Sequence, residues 1–222
     1  MVNEESLLIS RNMDLIRHLS NNRILPAITI QDENDALPLA EALLRGGLKV
    51  MEITFRTEAA SASITQIRKH LPEMRVGAGT LIHKDQVLKA IDSGAEFGLA
   101  PGFNPGLCSF AIDHKLEMIP GVITPSEVEN AYAMGFRILK IFPISQFGGM
   151  ELLKAFNGPF GELGIRYMPM GGVNQENFIA YLNVKNVIAV GGSWMTLGEW
   201  MQAKNFKAIE DEVARSLSKI IG

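Results

Sequence analysis

The sequence predicts an α/β fold, a single (β/α)8 (TIM) barrel over residues 1–222 with an extra N-terminal helix. Three observations carry that expectation. Short apolar runs recur along the chain, each bounded by Gly, Pro, Asn or Asp. Each run is followed by a helix-length amphipathic stretch, the pattern of a parallel sheet covered by helices. No linker or low-complexity segment interrupts the alternation. Eight units in one uninterrupted domain fit a closed barrel better than an open doubly wound sheet, which is the alternative.

The first element is an amphipathic helix before Ile24, with Leu15, Ile16 and Leu19 as its apolar stripe, expected to close the bottom of the barrel. Strands are then expected at Ile24–Ile30, Val50–Phe55, Arg75–Thr80, Phe97–Gly102, Glu117–Val122, Ile138–Pro143, Arg166–Gly171 and Val187–Gly192. Between them, Asp32 precedes a helix that stops at Arg45-Gly46-Gly47. Thr124-Pro125-Ser126-Glu127 reads as an N-cap with proline in the first turn. Gly46, Gly94 and Gly135 read as helix C-caps, each leading into the next strand.

Composition narrows the class of function. Apolar residues make up 47% of the 222 and charged residues 20%, ordinary for a soluble globular chain. A formal net charge of −3 gives no basic footprint for nucleic acid or an anionic membrane. The one cysteine, Cys108, cannot form an internal disulfide and fits a reducing compartment. The acidic start Met1-Val2-Asn3-Glu4-Glu5 lacks the basic region of a signal peptide, and no apolar run reaches the length of a membrane span. A cytoplasmic protein without membrane or nucleic-acid partners is expected.

The chemistry concentrates where a barrel would use it, at the C-terminal ends of strands. Lys140 lies in Ile138-Leu139-Lys140-Ile141-Phe142-Pro143, the most apolar short run of the chain. Burial disfavours an ammonium ion, and a neutral amine in a dry pocket is what adds to a ketone to form a Schiff base. The competing reading is a lysine that snorkels outward or pairs with a buried carboxylate. In Val50-Met51-Glu52-Ile53-Thr54-Phe55-Arg56, alternation puts Glu52, Thr54 and Arg56 on one face and Met51, Ile53 and Phe55 on the other. A glutamate inside an apolar strand needs a partner, Arg56 or Lys140, and a paired carboxylate beside an amine is also a general base.

Further along, Val76-Gly77-Ala78-Gly79-Thr80 ends in a hydroxyl behind two glycines, which serves either a tight turn or close approach to a ligand. Two later strands end in glycine pairs, Met170-Gly171-Gly172-Val173 and Val190-Gly191-Gly192-Ser193. By strand count these are the loops after strands seven and eight, where barrels hold phosphate. The histidines His18, His70, His83 and His114 fall in helices or at their starts, without metal-ligand spacing. No metal and no dinucleotide cofactor is expected. Met150, Phe156 and Phe160 read as core or rim packing.

The segments Glu52-Ile53-Thr54-Phe55-Arg56-Thr57, Gly77-Ala78-Gly79-Thr80, Ala100-Pro101-Gly102, Ile119-Pro120-Gly121, Leu139-Lys140-Ile141-Phe142-Pro143, Gly158-Pro159-Phe160, Gly171-Gly172-Val173 and Gly191-Gly192-Ser193-Trp194, in this order, closely resemble the KHG/KDPG aldolases. The resemblance runs from about Ile24 to Met195. It implies a metal-free, trimeric class I aldolase acting on 2-keto-3-deoxy-6-phosphogluconate and 4-hydroxy-2-oxoglutarate. It also implies that Lys140 forms the Schiff base and Glu52 is the general acid/base. Substrate contacts would then fall on Arg56 and Thr80 for the carboxylate, on Pro101, Phe142 and Met170, and on Gly171, Gly172, Gly192 and Ser193 for the phosphate. Gluconate-type relatives usually carry threonine where this chain has Met170, whereas galactonate-type relatives tend to carry an apolar residue. Epimer choice therefore stays open. A proton-transfer isomerase or epimerase, with Lys140 as mere ion partner of Glu52, and a non-catalytic sugar-phosphate binder are the other readings of these residues.

Overall fold

The computed structural model describes residues 14–221, so the reading of Met1–Glu5 lies outside it. The described chain opens with a helix over residues 14–22, α1. Strands and helices then alternate: β1 (Ile24–Ile28), α2 (Ala36–Gly46), β2 (Val50–Thr54), α3 (Ala59–His70), β3 (Arg75–Gly79), α4 (Lys84–Asp92), β4 (Phe97–Leu99) and α5 (Pro105–Asp113). The second half holds β5 (Glu117–Ile119), β6 (Gly121–Val122), α6 (Pro125–Ala133), β7 (Ile138–Ile141), α7 (Met150–Phe160), β8 (Arg166–Pro169), α8 (Phe178–Leu182), β9 (Val190–Gly192), α9 (Gly198–Gln202) and α10 (Phe206–Ile221).

All strand pairings are parallel. Six strands run in the order β5-β4-β3-β2-β1-β9 and three in the order β6-β7-β8. Neighbours in space are mostly neighbours in sequence, and the last strand lies beside the first, unlike an open doubly wound sheet. The fold is α/β, with a parallel sheet curled so that one face becomes an interior.

That interior is apolar at the end where the strands begin. Leu25, Val50, Phe97, Ile119 and Ile138 form one buried cluster with Leu15 and Leu19 of α1, and Ile16 packs against it half-buried. The opposite face of the same strands, including Met51, Ile53, Val76 and Ala78, packs under the helices with Leu39, Leu43, Ile64 and Ile67. The alternation expected for the second strand is therefore observed, with Phe55 half-buried on the helix side.

Several expected boundaries need correction. The run Glu117–Val122 forms two strands rather than one, because Pro120 has no N–H to continue a ladder. β5 pairs with β4, and β6 pairs with β7. The run Val187–Gly192 keeps its ladder only from Val190, with Val187 in an isolated bridge to Tyr167. The strands expected to reach Ile30, Phe55, Thr80, Gly102, Pro143 and Gly171 all end one to three residues earlier. Their last residues turn outward into the loops that carry the polar groups. Gly47, at φ 106°, caps α2 in the left-handed region, while Gly46 is the last helical residue and lies against Val213. Thr124 caps α6 as expected, in a capping box with Glu127. Phe156 and Phe160 are buried, whereas Met150 is exposed.

Candidate active site

Along β2 and β7, the interior side chains change from apolar to polar toward the C-terminal end. β2 presents Val50, then Glu52 and Thr54, with exposed Arg56 just beyond the strand. β7 presents Ile138 and then Lys140, which pairs in register with Gly121 on one side and Met168 on the other. Glu52 and Lys140 are 1% and 5% exposed, and Lys140 Nζ lies 4.0 Å from Glu52 Oε1. That distance is an ion contact, longer than a hydrogen bond. Lys140 also lies 4.9 Å from the centre of the Phe142 ring.

Of the two partners offered for Glu52 by the sequence, Lys140 is the one in contact. Arg56 instead donates from Nε to Thr80 Oγ1 at 3.2 Å. Glu52 Oε2 is buried and has no hydrogen-bond partner among the described residues. Burial pushes the Glu52 carboxyl above the usual carboxylate range, against the opposing pull of Lys140 and Arg56. A carboxyl held in this way binds a proton more readily at neutral pH than an ordinary glutamate, which suits a group that takes and returns one.

This pair sits at the floor of a cavity of about 750 Å³. Its wall includes Glu52, Arg56, Lys140, Phe142 and Met170 from the expected set, together with Gly171, Gly172, Gly192 and Ser193. Thr80 and Pro101 are not part of that wall. Thr80 reaches it through its hydrogen bond to Arg56 and holds φ 60°, an uncommon value for a β-branched residue. Pro101 has its carbonyl against Gly121, the register partner of Lys140. Lys49, at the other end of β2, is exposed.

The two glycine pairs are required for different reasons. Gly171 and Gly172 occupy the left-handed region at φ 84° and 89°. Their carbonyls accept from the Ser145 N–H at 3.1 Å and the Asn177 side-chain amide at 3.0 Å. Gly191 and Gly192 have no such φ, but a Cβ would strike the Met170 side chain at the first and the Trp194 ring at the second. Trp194 is itself fixed by donating to Ser216 Oγ at 3.2 Å, which in turn donates to Glu212. Met170 is buried in the interior cluster and faces the cavity.

The wall also holds residues outside the expected set. Thr29 and Thr54 share a hydroxyl hydrogen bond of 2.8 Å above Glu52. Alternation puts Thr54 on the Glu52 face, and the same alternation along Ala27-Ile28-Thr29 puts Thr29 on the interior face of its strand. At the rim, Lys204 meets Asp35 at 2.9 Å and Asp32 at 3.9 Å. No local pattern joins residues so distant in sequence. Among the described residues, His70, His83 and His114 are exposed and His18 is half-buried against the Lys49 carbonyl. No helix of the described residues is long and apolar enough to cross a membrane.

Comparison with known proteins gives one consistent result. The family model described as KDPG and KHG aldolase matches residues 15–212. A 2-dehydro-3-deoxy-phosphogluconate aldolase from Haemophilus influenzae is 38% identical over 207 residues, covering 93% of this chain and 95% of its own. The crystal structure of KDPG aldolase from Legionella pneumophila, with pyruvate captured as a covalent carbinolamine intermediate, superposes with a TM-score of 0.87 at 34% identity. The match covers 90% of this chain and 97% of that one. The 2-keto-3-deoxy-6-phosphogluconate aldolase of Zymomonas mobilis, solved with 3-phosphoglycerate, superposes with a TM-score of 0.84 at 32% identity, over 93% of this chain and 95% of that one.

Proposed function

This chain belongs to the KDPG and KHG aldolase family, and from that premise we propose that it cleaves 2-keto-3-deoxy-6-phosphogluconate to pyruvate and glyceraldehyde 3-phosphate by a Schiff-base mechanism. 4-Hydroxy-2-oxoglutarate, cleaved to pyruvate and glyoxylate, is the second substrate of the same site. The observation that carries the reading is the buried Lys140–Glu52 pair, 4.0 Å apart at the floor of the cavity. A binding protein has no use for an amine and an incompletely partnered carboxylate buried together, which cost stability. A proton-transfer enzyme would use Lys140 only as the ion partner of Glu52, a use that the 4.0 Å separation, longer than a hydrogen bond, suits poorly.

In the mechanism, Lys140 Nζ adds to the C2 ketone to give a carbinolamine, which loses water to an iminium ion. Glu52 takes the C4 hydroxyl proton. The C3–C4 bond breaks, its electron pair flows into the iminium, and the aldehyde leaves. Glu52 returns the proton to C3 of the enamine, and hydrolysis frees pyruvate and Lys140. Arg56, steadied by Thr80, suits the carboxylate because a guanidinium presents two parallel donors. Phe142 and Met170 shape the apolar side of the keto-acid pocket, and Pro101 supports it through Gly121, the neighbour of Lys140. Backbone amides of Gly171, Gly172 and Gly192 with the Ser193 hydroxyl hold the phosphate. No step requires a metal or cofactor.

The same reading takes the fold as a closed (β/α)8 barrel in one domain, with α1 plugging its base. The β1–β9 pairing, the Tyr167–Val187 bridge and the handover at Pro120 support closure. Leu15 and Leu19 in the interior cluster support the plug. Family membership further supports a cytoplasmic homotrimer.

The test is incubation with pyruvate and borohydride, followed by peptide mass spectrometry. A reduced adduct at Lys140 and at no other lysine, Lys49 included, is expected. An adduct elsewhere, or none, would sink the Schiff-base reading.

A further inference from the structure

β3 runs beside β2 with Thr54 opposite Gly79 and Glu52 opposite Gly77. Both glycines face the interior, and their backbones do not demand glycine, since neither has the positive φ that excludes other residues. Space decides at each. A Cβ on Gly77 would enter the ring of Phe97, a packing contact of the interior cluster. A Cβ on Gly79 would meet a different neighbour. Its three nearest atoms all belong to Glu52, with Cγ at 2.7 Å, Cδ at 2.5 Å and Oε1 closer still. Real Cβ atoms essentially never approach within 3.0 Å. Glu52 is 1% exposed and lines the cavity, so the room a Cβ needs is made only by moving its carboxylate off β3 and into that cavity.

We propose that Gly79 is a positioning residue for the reaction: the side chain it lacks is the space in which the Glu52 carboxylate sits, 4.0 Å from Lys140. Gly79 touches neither substrate nor Lys140 in this role. It acts through Glu52, and the assignment rests on the reading of Glu52 as the proton-transfer group. An alanine there drives the carboxylate back by more than an ångström, toward the ordinary contact distance of 3.4 Å or beyond. Misplacement on that scale costs a positioned catalytic group about 10²-fold in rate.

The experiment is a double-mutant cycle between positions 79 and 52, read by turnover, trapping and melting temperature. Gly79→Ala should still form the borohydride-trapped pyruvate adduct at Lys140, with KM near that of the wild type and kcat lower by about 10²-fold. In a Glu52→Ala background the same substitution should lower kcat less than about threefold, because the group it displaces is gone. The melting temperature lost by Gly79→Ala should likewise return to within about 1 °C of the parent in that background. If Gly79→Ala alone fails to fold, recovery of folded protein in Gly79→Ala/Glu52→Ala is the expected result. Equal losses of kcat and of melting temperature in both backgrounds would overturn the assignment. Failure of the wild type to trap pyruvate would instead defeat the aldolase reading, and the stability arm of the cycle would still decide what occupies the space at Gly79.

Discussion

The two ends of the curled sheet treat charge in opposite ways. Where the strands begin, Arg75 of β3 contacts Asp14 of α1 at 2.7 Å and Glu96 at 3.0 Å, and Arg68 reaches Glu96 at 2.8 Å. These groups are partly exposed and lie at hydrogen-bond distances, with Glu96 Oε1 close to Arg68 but not aligned for a hydrogen bond. Where the strands end, Glu52 and Lys140 are buried, lie 4.0 Å apart, and leave Glu52 Oε2 without a hydrogen-bond partner among the described residues. One end uses ion pairs to join a helix to the sheet. The other keeps charge in an unfavourable place, and under the proposed mechanism that costly arrangement is retained for the reaction it serves.

Substitution of Glu52 tests that contrast most severely. Glu52→Gln should still form the pyruvate imine but lose about 10²–10⁴-fold in kcat, the usual loss for a positioned general base. Stability should move the other way. Burial raises the folded-state carboxyl above its ordinary value. Stability is then greatest below the ordinary carboxylate range, falls as pH rises from that range to the raised value, and stays constant above it. Glutamine mimics the protonated acid and escapes that loss. The variant should therefore melt higher than the wild type at pH 7, with the gap closing in acid. Near-normal turnover would mean that Glu52 is structural, and a lower melting temperature at pH 7 would mean that its pairing with Lys140 outweighs the cost of its burial.

Much of the active end was legible in the sequence because period-two alternation fixes sides without knowledge of neighbours. Lys140 between Leu139 and Ile141, and Glu52 between Met51 and Ile53, had to face away from the helix layer. What alternation could not supply is pairing across strands. Gly79 reads as a glycine for a tight turn or for close approach to a ligand until β3 is laid beside β2 and the Glu52 carboxylate occupies its missing side chain. Pro120 announces a missing donor, but only the sheet shows that the ladder passes there from β4 to β7. The Lys204–Asp35 pair at the cavity rim joins distant segments and left no local trace.

Met170 sharpens the comparison from the apolar side. It is a buried methionine in the wall of the polar end, packed against Gly191. A thioether donates no hydrogen bond, so it cannot select a substrate hydroxyl by that means. Met170→Thr should raise kcat/KM for the gluconate substrate relative to its galactonate epimer by 1–3 kcal/mol at most, about 5- to 150-fold. The measurement is the ratio of the two kcat/KM values in each protein. An unchanged ratio would move epimer selection to other residues of the wall, with Thr29 and Thr54 the next hydroxyls to test.

The smallest effect is expected at the opposite end, where Arg75→Met removes the hub of the ion network. Hydrogen bonds from Arg75 and then Arg17 hold the Asp14 carboxyl below the usual carboxylate range. A lowered folded-state value gives stability that is present above the ordinary carboxylate range and is lost as pH falls through the lowered value, the reverse of Glu52. Asp14 is nearly half exposed, so solvent screens much of this contribution. Arg75→Met should therefore cost only about 1 kcal/mol at pH 7, with most of that difference gone in acid or high salt. Its kcat at a temperature where it remains folded should match the wild type, because Arg75 touches only the base of the sheet. Melting curves across pH 2–7 set beside single-temperature kinetics decide the matter. A selective loss of kcat with unchanged melting would show that the two ends are coupled, and that charge at the base also serves the reaction at the mouth.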